Sequence, residues 1–316
     1  MVLDGKGKYT VNILMSTYNG ANYICEQLDS LYEQRGVVIN LFVRDDGSTD
    51  NTIELIEHYR NKFHSVQIYK ENNIGATKSY YALSMKVLLE DSQCEYYAFC
   101  DQDDIWKKDK LIKGIQKLEY MNGRKPLLYY SNLMILDEKG NEKGLLINRN
   151  SKSTSKKNGL ASIGAYGCTC IFNKHALEKF CDIRSCSEHI YHDNWLYAVC
   201  TFLGEIYYDD ESCILYRQTG LNVSGKKNQG IWIWGQRIQK LLNLSIERNL
   251  YEDIASELIF CFKDDLDQKD IKFLELFLKY RHDKWCMICL LFSRRMKVKS
   301  ISKNICIMGR TLLKKL

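Results

Sequence analysis

The sequence predicts an α/β fold in which a mostly parallel central sheet is flanked by helices and followed by a C-terminal helical extension. Three observations predict it. Four short apolar segments alternate with segments of helical periodicity in the first part of the chain. A polar cluster follows each apolar segment, and the chain after about residue 231 has helical periodicity throughout. Strands that alternate with helices are typical of parallel sheets covered on both faces.

The first four strands are predicted from short apolar runs that stop at polar turns, at residues 11–17, 37–43, 66–69 and 96–100. Helical stripes separate these runs. Ile24, Leu28 and Leu31 recur at helical spacing after the first run, and Leu111 and Ile115 do so after the fourth. Ligands of such sheets bind beyond the carboxyl ends of the strands, which is where the polar clusters fall.

After residue 127 the alternation loosens. The segments "LLYYSNLMIL", "CTCIF", "EIYY" and "CILYR" predict four further strands, and "SKSTSKKNG" (151–159) predicts a mobile loop. We therefore expect a catalytic domain over residues 1–228 and a helical, basic extension over residues 229–316.

Composition narrows the class of protein. The 316 residues are 45% hydrophobic and 27% charged, which is typical of a globular protein. Thirteen scattered cysteines without zinc spacing predict reduced thiols in the cytosol. Residues 1–10 are polar and do not predict a signal peptide, and "WCMICLLF" (285–292) is too short to span a bilayer.

The net charge of +6 is concentrated near the C-terminal end. Residues 279–316 hold eleven Lys/Arg and one Asp, a local net charge of +10, whereas the rest of the chain has a net charge of −4. Apolar residues interrupt these basic residues, a mixture that suits helices lying on an anionic membrane surface. A helical hairpin packed on the catalytic domain, with a solvated basic face, is the alternative. No fold that binds nucleic acid accompanies the charge, so no nucleic-acid partner is expected.

Three carboxylates follow the fourth strand, in "YYAFCDQDDIW". If this segment is extended, Asp101 and Asp103 share a face and repel one another unless a cation or a hydrogen-bond donor lies between them. Mg²⁺ in such sites is held by one or two carboxylates and by phosphate oxygens, which implies a phosphorylated substrate. The alternative is a solvated turn in which Asp104 caps the next helix.

Two further acidic positions have both a functional and a purely structural interpretation. Asp46, with the aromatic face of Tyr18 nearby, suits a pyrimidine base whose ring N–H needs an acceptor. The same "DDGST" segment is also good turn chemistry, with Ser48, Thr49 or Asp50 as a helix cap. Asp193 is either a helix N-cap or a general base at the mouth of a helix.

Five segments, taken in order, resemble the family 2 glycosyltransferases, which are inverting enzymes of GT-A fold (the nucleotide-diphospho-sugar transferase fold). They are "ILMSTYNGANYI", "FVRDDGSTDNT", "NNIGATKSYYAL", "YYAFCDQDDIWKKDKL" and "GCTCIFN…YHDNWLY". "QDDIW" followed by "DKL", and "YRQTGLNVSG", look most like the bacterial rhamnosyltransferase-like branch. That branch builds capsular, O-antigen or cell-wall polysaccharide.

The resemblance implies roles for individual residues. Asp193 would be the catalytic base, and Asp103 would bind Mg²⁺ or Mn²⁺. Donor-binding roles would fall to Thr17, Tyr18, Asn19, Asp46, Lys78, Asp101 and Arg217. Two positions depart from the family pattern: His192 replaces an acid, and Thr219 stands where relatives often have His, which puts the role of that loop in doubt.

The implied activity is that of a glycosyltransferase of the hexosyltransferase type. It would move a sugar, with rhamnose suggested by the branch, from a UDP- or dTDP-linked donor to a hydroxyl of a growing, lipid-linked cell-surface polysaccharide. Such a protein would be cytoplasmic, peripheral on the cytoplasmic face of the inner membrane. The alternatives are a nucleotidyltransferase, which "STYNGANYI" disfavours because it holds only Gly20, and a catalytically silent protein that binds sugar nucleotides.

Overall fold

The computed structural model describes residues 7–90, 93–137, 140–146, 160, 165–184, 190–218, 250–298 and 301–314. The chain divides into two compact units. The first comprises residues 1–148, 164–182 and 191–217, and the second comprises residues 149–163, 183–190 and 218–316. The predicted domain boundary at 228/229, the predicted loop 151–159 and Thr219 lie outside the described residues.

The first unit alternates strands and helices as far as its fourth helix. Its elements up to that point are β1 (Tyr9–Thr17), α1 (Ile24–Tyr32), β2 (Val37–Asp45), α2 (Thr52–His58), β3 (Ser65–Lys70), α3 (Ala76–Glu90), β4 (Tyr96–Cys100), β5 (Ile105–Trp106) and α4 (Lys110–Glu119). The rest are β6 (Leu127–Leu136), β7 (Glu142–Leu145), β8 (Ile171–Asn173), α5 (Lys174–Cys181), α6 (His192–Leu203) and β9 (Glu205–Arg217).

These strands form one sheet in the order β3-β2-β1-β4-β8-β6-β9-β5, with β7 paired to β6. The neighbours β3, β2, β1 and β4 are parallel, and so are β6 and β9. The pairings of β8, β5 and β7 are antiparallel. Most of the paired residues are therefore in parallel ladders. Strand β1 is central, and Val11, Ile13, Leu14 and Met15 are fully buried on both of its faces, as a covered parallel sheet requires.

The second unit is helical where it is described. Its helices are α7 (Leu250–Phe262), α8 (Gln268–Lys279), α9 (Lys284–Phe292) and α10 (Ile301–Leu312). Helix α8 packs against α7 and α9, and α9 also packs against α10. Among the helices that the structure describes, none combines the length and the apolar character needed to cross a bilayer.

Three local expectations were wrong. The segments "EIYY" and "CILYR" belong to one strand, β9, because β6 pairs along its length across a register shift near Asn132. Strand β4 ends at Cys100, and residues 102 and 103 form a turn, so Asp101 and Asp103 do not lie in an extended segment. Asp104 caps no helix, since α4 begins at Lys110 after Asp109.

The N-terminus of α2 also differs in detail from the expectation. The helix begins at Thr52, after Asn51, rather than directly after one of the three expected caps. Asp50 nevertheless satisfies an orphan donor of the first turn, because its Oδ1 accepts a hydrogen bond from the Thr52 backbone N–H at 3.1 Å.

Candidate active site

The carboxyl ends of β1, β2 and β4 meet at one edge of the sheet. Thr17 pairs with Asp45 in the β1–β2 ladder, and Met15 pairs with Cys100 in the β1–β4 ladder. Because the three strands are parallel and in this register, the residues that follow them emerge side by side. The polar clusters predicted from the sequence therefore share one rim.

Asp45 ties the loops after β1 and β2 together. Its buried carboxylate accepts hydrogen bonds from Thr17 Oγ1 at 2.8 Å and from the backbone N–H of Ser48 at 2.8 Å. Asn19, which has a positive φ of 47°, accepts from the Thr49 backbone N–H at 2.8 Å. Thr17 and Asn19 thus hold the rim loops in place through their own side chains.

Asp46 is held by a buried arginine whose role was not predicted from the sequence. Arg44 is 1% exposed, and its Nη1 lies 2.5 Å from Asp46 Oδ1 while its Nε donates to Glu71 at 2.9 Å. The Asp46 carboxylate also accepts from the backbone N–H groups of Ile74 and Gly75, at 2.8 and 2.9 Å. A buried arginine without its carboxylate partners would be strongly destabilising, so this network fixes the position of Asp46.

An open cleft of about 640 Å³ lies beside this network. Its lining comprises Arg44, Asp45, Gly47, Ser48, Ile53, Lys70, Glu71, Asn72 and Ile74. Asp46 is 2% exposed and does not line the cleft, so its neighbours Asp45 and Gly47 form the cleft wall.

Gln102 fastens the acidic loop to the loop after β1. Its side-chain Oε1 accepts from the Tyr18 backbone N–H at 2.9 Å, and its Nε2 donates to the Tyr18 carbonyl oxygen at 3.0 Å. A Cβ at Gly20 would lie 2.2 Å from that Oε1, so the contact requires glycine there. The Tyr18 ring itself is exposed beside this junction.

The three carboxylates after β4 crowd one another. Burial, with a smaller contribution from the charge of Asp101, raises the pKa of Asp103 to about 7. Burial also raises the pKa of Asp101, and that of Asp104 lies well above its usual range for the same reason, with both other carboxylates adding to the effect. Such a group of acids is stable when ionised only if positive charge is supplied to it.

The residues fit a divalent cation. Ligand atoms of Asp101, Asp104 and Cys168 lie within 4.8 Å of one another, and Asp104 Oδ2 is buried without a hydrogen-bond partner within the described part of the chain. The carboxylates suit Mg²⁺ or Mn²⁺, whereas burial keeps the pKa of the Cys168 thiol well above its usual value and leaves it a poor ligand for these hard ions.

Tyr80 contacts Asp101 directly, and His192 packs against Tyr80. The Tyr80 hydroxyl oxygen lies 2.9 Å from Asp101 Oδ1 and 2.7 Å from the Cys100 carbonyl oxygen. The His192 ring stacks on the Tyr80 ring with centroids 4.0 Å apart. Burial lowers the pKa of His192 to about 3, so the ring is neutral, and neither of its nitrogens has a hydrogen-bond partner among the described residues. In place of an acid, His192 therefore provides an aromatic surface.

Asp193 lies in the first turn of α6. The helix begins at His192 after Tyr191, so Asp193 is not the N-cap. Burial raises its pKa to about 7, and the charge of Asp101 contributes to that rise, which shows that the two carboxylates are near one another. Its Oδ1 accepts from the Asn194 backbone N–H at 2.7 Å. A half-buried carboxylate with a pKa near 7 has the properties of a general base.

Gly167 lies against the start of this helix. A Cβ at this position would lie 2.5 Å from His192 Nε2. The backbone N–H of Gly167 also hydrogen-bonds Asp193, which favours the ionised form of that carboxylate. Gly167 therefore allows the close approach that places both His192 and Asp193.

The two predicted basic residues differ in their surroundings. Arg217, the last residue of β9, is buried and donates from Nη2 to Glu26 at 2.6 Å and from Nε to the Asp103 carbonyl oxygen at 3.2 Å. Its backbone N–H donates to Asp104 Oδ1 at 3.3 Å. Lys78 is exposed in the first turn of α3. Arg217 thus braces the acidic loop, and Lys78 is open to solvent.

The structure brings Asp101, Asp103 and Asp193 into electrostatic contact, and it places Thr17, Tyr18, Asn19 and Asp46 on the same rim. Four supporting residues were not predicted from the sequence, namely Arg44, Tyr80, Gln102 and Gly167. A signal existed for Arg44, because an arginine inside an apolar strand just before two aspartates needs a buried partner.

Comparison with known proteins agrees with this geometry. The family model described as "Glycosyl transferase family 2" matches residues 12–180, which contain the rim loops, the acidic cluster and Gly167. The chain belongs to this family. As a family 2 glycosyltransferase it is an enzyme, and the expectation from the five segments is confirmed.

Named relatives of this glycosyltransferase come from bacteria. It is 34% identical over 226 residues to the dTDP-rhamnosyl transferase RfbG of Shigella flexneri, covering 67% of this chain and 75% of RfbG. It is 31% identical over 134 residues to the putative teichuronic acid biosynthesis glycosyltransferase TuaG of Bacillus subtilis (strain 168). That match covers 42% of this chain and half of TuaG.

The crystal structure of S. aureus TarS 1-349 in complex with UDP is similar to this glycosyltransferase with a TM-score of 0.54 and 17% identity. The match covers 96% of this chain and 90% of the TarS chain. The predicted GT-A fold, with its mostly parallel sheet, flanking helices and C-terminal helices, is confirmed.

Proposed function

We propose that this enzyme is an inverting glycosyltransferase that moves a sugar from a nucleoside-diphosphate donor to a hydroxyl of a growing cell-surface polysaccharide. The observation that carries the proposal is Asp193, a half-buried carboxylate whose pKa is raised to about 7 by desolvation and by the charge of Asp101 in the acidic cluster. A general base together with an acidic cluster that can accept a cation is the arrangement that a single displacement requires.

The donor is proposed to be UDP- or dTDP-linked. RfbG is named as a dTDP-rhamnosyl transferase, and TarS was crystallised with UDP, so both nucleotides occur among similar proteins. Rhamnose is the proposed sugar, because RfbG covers most of this chain. The acceptor is proposed to be a lipid-linked saccharide, reached from the cytoplasmic face of the inner membrane. The name of TuaG supports a role in building a cell-surface polymer.

Asp103 is the proposed ligand of Mg²⁺ or Mn²⁺, in the acidic loop whose Asp101 and Asp104 have ligand atoms within 4.8 Å of one another. Asp101 is also proposed to contact the ribose. The bound cation would offset the negative charge on the departing nucleoside diphosphate. Tyr18 and Asp46, with Thr17 and Asn19, are proposed to form the receptor for the base. Lys78 and Arg217 are the proposed basic residues near the diphosphate.

The proton is proposed to move to Asp193. Its carboxylate takes the proton of the acceptor hydroxyl while the oxygen forms a bond to the anomeric carbon from the face opposite the diphosphate. The bond between that carbon and the diphosphate oxygen breaks in the same step, with its electron pair leaving on the nucleotide. One displacement inverts the configuration, and no enzyme nucleophile is needed.

Two substitutions test the proposal. Asp193→Asn should lower kcat by about 10²–10⁴-fold while leaving donor affinity unchanged, because only the base is removed. Asp103→Ala should lose the metal-dependent part of donor binding measured by calorimetry. Asp182→Asn, an exposed aspartate at the end of α5, is the matched control and should behave as wild type.

The donor is identified first, by measuring the hydrolysis of a panel of nucleotide sugars with and without Mn²⁺. Near-normal turnover by Asp193→Asn would remove Asp193 from the role of base. Unchanged donor affinity in Asp103→Ala would show that the cation is bound elsewhere.

A further inference from the structure

We propose that helices α9 and α10 of the second unit form a face that binds anionic phospholipid surfaces. The inference rests on the proposed function only in that a lipid-linked acceptor requires the enzyme to work at a membrane. It is argued from the two helices themselves.

Each helix exposes an apolar stripe. On α9, Trp285 is 70% exposed and Phe292 is 75% exposed, and Ile288 is exposed between them. These positions are three and four residues apart, so they share one side of the helix. On α10 the same spacing recurs in the exposed residues Ile305, Met308 and Leu312. Surface helices of soluble proteins normally expose polar residues, so these apolar stripes indicate an interaction surface.

Each helix also has a packed side, which lies opposite the stripe on α9 and beside the stripe on α10. Leu290 of α9 is fully buried, and Thr311 of α10 is 1% exposed. Between the helices lies a cleft of about 190 Å³, lined by Leu291, Met296, Lys297, Asn304, Ile307, Met308 and Thr311. Met308 belongs both to this lining and to the exposed stripe of α10. Because these packed residues fix the orientation of each helix, the apolar stripes stay on the outer surface of the unit.

The charges around the stripes are almost all positive. Arg281 and Arg295 are paired within the unit, to Glu252 at 2.6 Å and Asp270 at 2.5 Å. Other basic side chains are exposed and form no ion pair within the described part of the unit: Lys284, Arg294, Lys297 and Lys314. The one acidic residue after Lys279, Asp283, caps α9 by accepting from the Trp285 and Cys286 backbone N–H groups.

The apolar stripes and the basic residues together indicate which kind of partner binds this face. Basic side chains beside exposed Trp, Phe, Ile, Leu and Met suit an interface where apolar groups enter the lipid and cations meet anionic headgroups. A nucleic acid would bind the basic side chains but would leave the aliphatic stripes without an apolar partner. A second copy of this chain would bring the same positive charge to the same surface, which disfavours self-association.

Flotation of the full-length protein tests the face directly. The vesicles are phosphatidylcholine alone, or phosphatidylcholine with a minority of phosphatidylglycerol. Wild type should float with the anionic vesicles only, and salt should weaken the binding. Each basic residue contributes about fivefold near an anionic surface, so Lys284→Glu/Arg294→Glu should lose about 25-fold or more. Trp285→Ser/Phe292→Ser should lose about tenfold or more, because two inserted rings are removed.

Matched controls lie in the first unit. Leu89→Ser/Tyr120→Ser removes two apolar side chains that are exposed in the structure, and Arg124→Glu/Lys125→Glu makes the same change in net charge as the basic-residue variant. Both should float as wild type does. Because the altered residues of α9 and its flanks are exposed, folding is not expected to change, and circular dichroism checks this.

Equal flotation of wild type and the α9 variants would overturn the proposal, as would a wild type that does not float. Light scattering provides a further check: a wild-type dimer that Trp285→Ser/Phe292→Ser converts to monomer would assign the face to a second copy instead. Donor hydrolysis without vesicles, measured on the same variants, should be unchanged. Flotation needs no turnover, so its result is independent of whether the glycosyl-transfer proposal holds.

Discussion

Single side chains connect the loops of the active site at several points, and Gln102 is the clearest of them. It offers one acceptor and one donor to the backbone of Tyr18, a pairing that only a carboxamide side chain can make. Arg44 has a comparable role under Asp46, where it bonds two carboxylates from within the core. The proposed donor site therefore depends on polar side chains that fix its loops, one of them partly exposed and the other fully buried.

Gln102→Glu is predicted to weaken donor binding. The substitution keeps the acceptor for the Tyr18 N–H but places a carboxylate against the Tyr18 carbonyl oxygen and adds negative charge to an acidic loop. We expect the KM for the donor to rise by up to about tenfold, since the Tyr18 carbonyl loses its side-chain donor and a hydrogen bond contributes about 0.5–1.5 kcal/mol. At saturating donor, kcat should change little, and steady-state kinetics measures both.

The matched control is Gln67→Glu. Gln67 is exposed, and its Oε1 accepts from the Tyr69 hydroxyl, a bond that a glutamate retains. A normal donor KM in Gln102→Glu would show that the acidic loop holds its position without this residue.

At the scale of elements, the first turn of α6 determines where the base lies. His192 stacks on Tyr80 of α3, and Asp193 comes next in the chain, so the packing of one residue positions the other. Gly167, just before β8, is the residue that the imidazole approaches most tightly. Packing among α6, α3 and the turn at Gly167 therefore determines the position of the Asp193 carboxylate.

Gly167→Ala is predicted to lower kcat by about 10–100-fold. The added methyl group would lie 2.5 Å from His192 Nε2, so the start of α6 must shift, and small displacements of a catalytic group have effects of this size. Donor affinity should change less than kcat, because Asp103 is on another loop. The kinetics are compared with those of Gly123→Ala, whose Cβ would meet nothing within 4 Å. Wild-type kcat in Gly167→Ala would mean that the packing at this turn does not position Asp193.

The strands and the rim could be predicted from the sequence because each depends on local pattern. Short apolar runs ending in polar turns identified β1 to β4, and the parallel arrangement then brought their ends together. The joining of "EIYY" and "CILYR" into β9 could not be predicted, since it depends on pairing with β6. The supporting roles of Tyr80 and Gln102 could not be predicted either, because their partners are 20 to 84 residues away in sequence.

At the scale of the whole molecule, the partly buried carboxylates of the active site lower the stability of the ligand-free protein at neutral pH. Asp103 and Asp193 have a pKa of about 7 in the folded chain, raised from 3.8 chiefly by burial. Their contribution to stability is therefore present below about pH 4 and is lost as the pH rises through 7. His192, with its pKa lowered to about 3, acts in the opposite direction and loses stability as the pH falls below about 6.5.

Asp103→Asn is predicted to raise the Tm of the ligand-free protein at pH 8, because the variant need not bury an ionised carboxylate at this position. The advantage over wild type should grow between about pH 5 and pH 8, to on the order of 1–3 kcal/mol in the free energy of unfolding. Mn²⁺ with UDP should stabilise wild type and have little effect on the variant. Thermal melts across this pH range measure both effects, with Asp182→Asn as control. A variant that melts below wild type at every pH would contradict the assignment of strain to this carboxylate.

The hydroxyl of Tyr80 has two oxygen neighbours but only one hydrogen. It can point at Asp101 when that carboxylate is ionised, or at the Cys100 carbonyl when Asp101 carries the proton instead. The change needs a rotation about one C–O bond and no movement of any heavier atom. The pocket can therefore alter its charge while keeping its shape, and crystals grown at acidic and alkaline pH should superimpose at this point even though their infrared spectra differ.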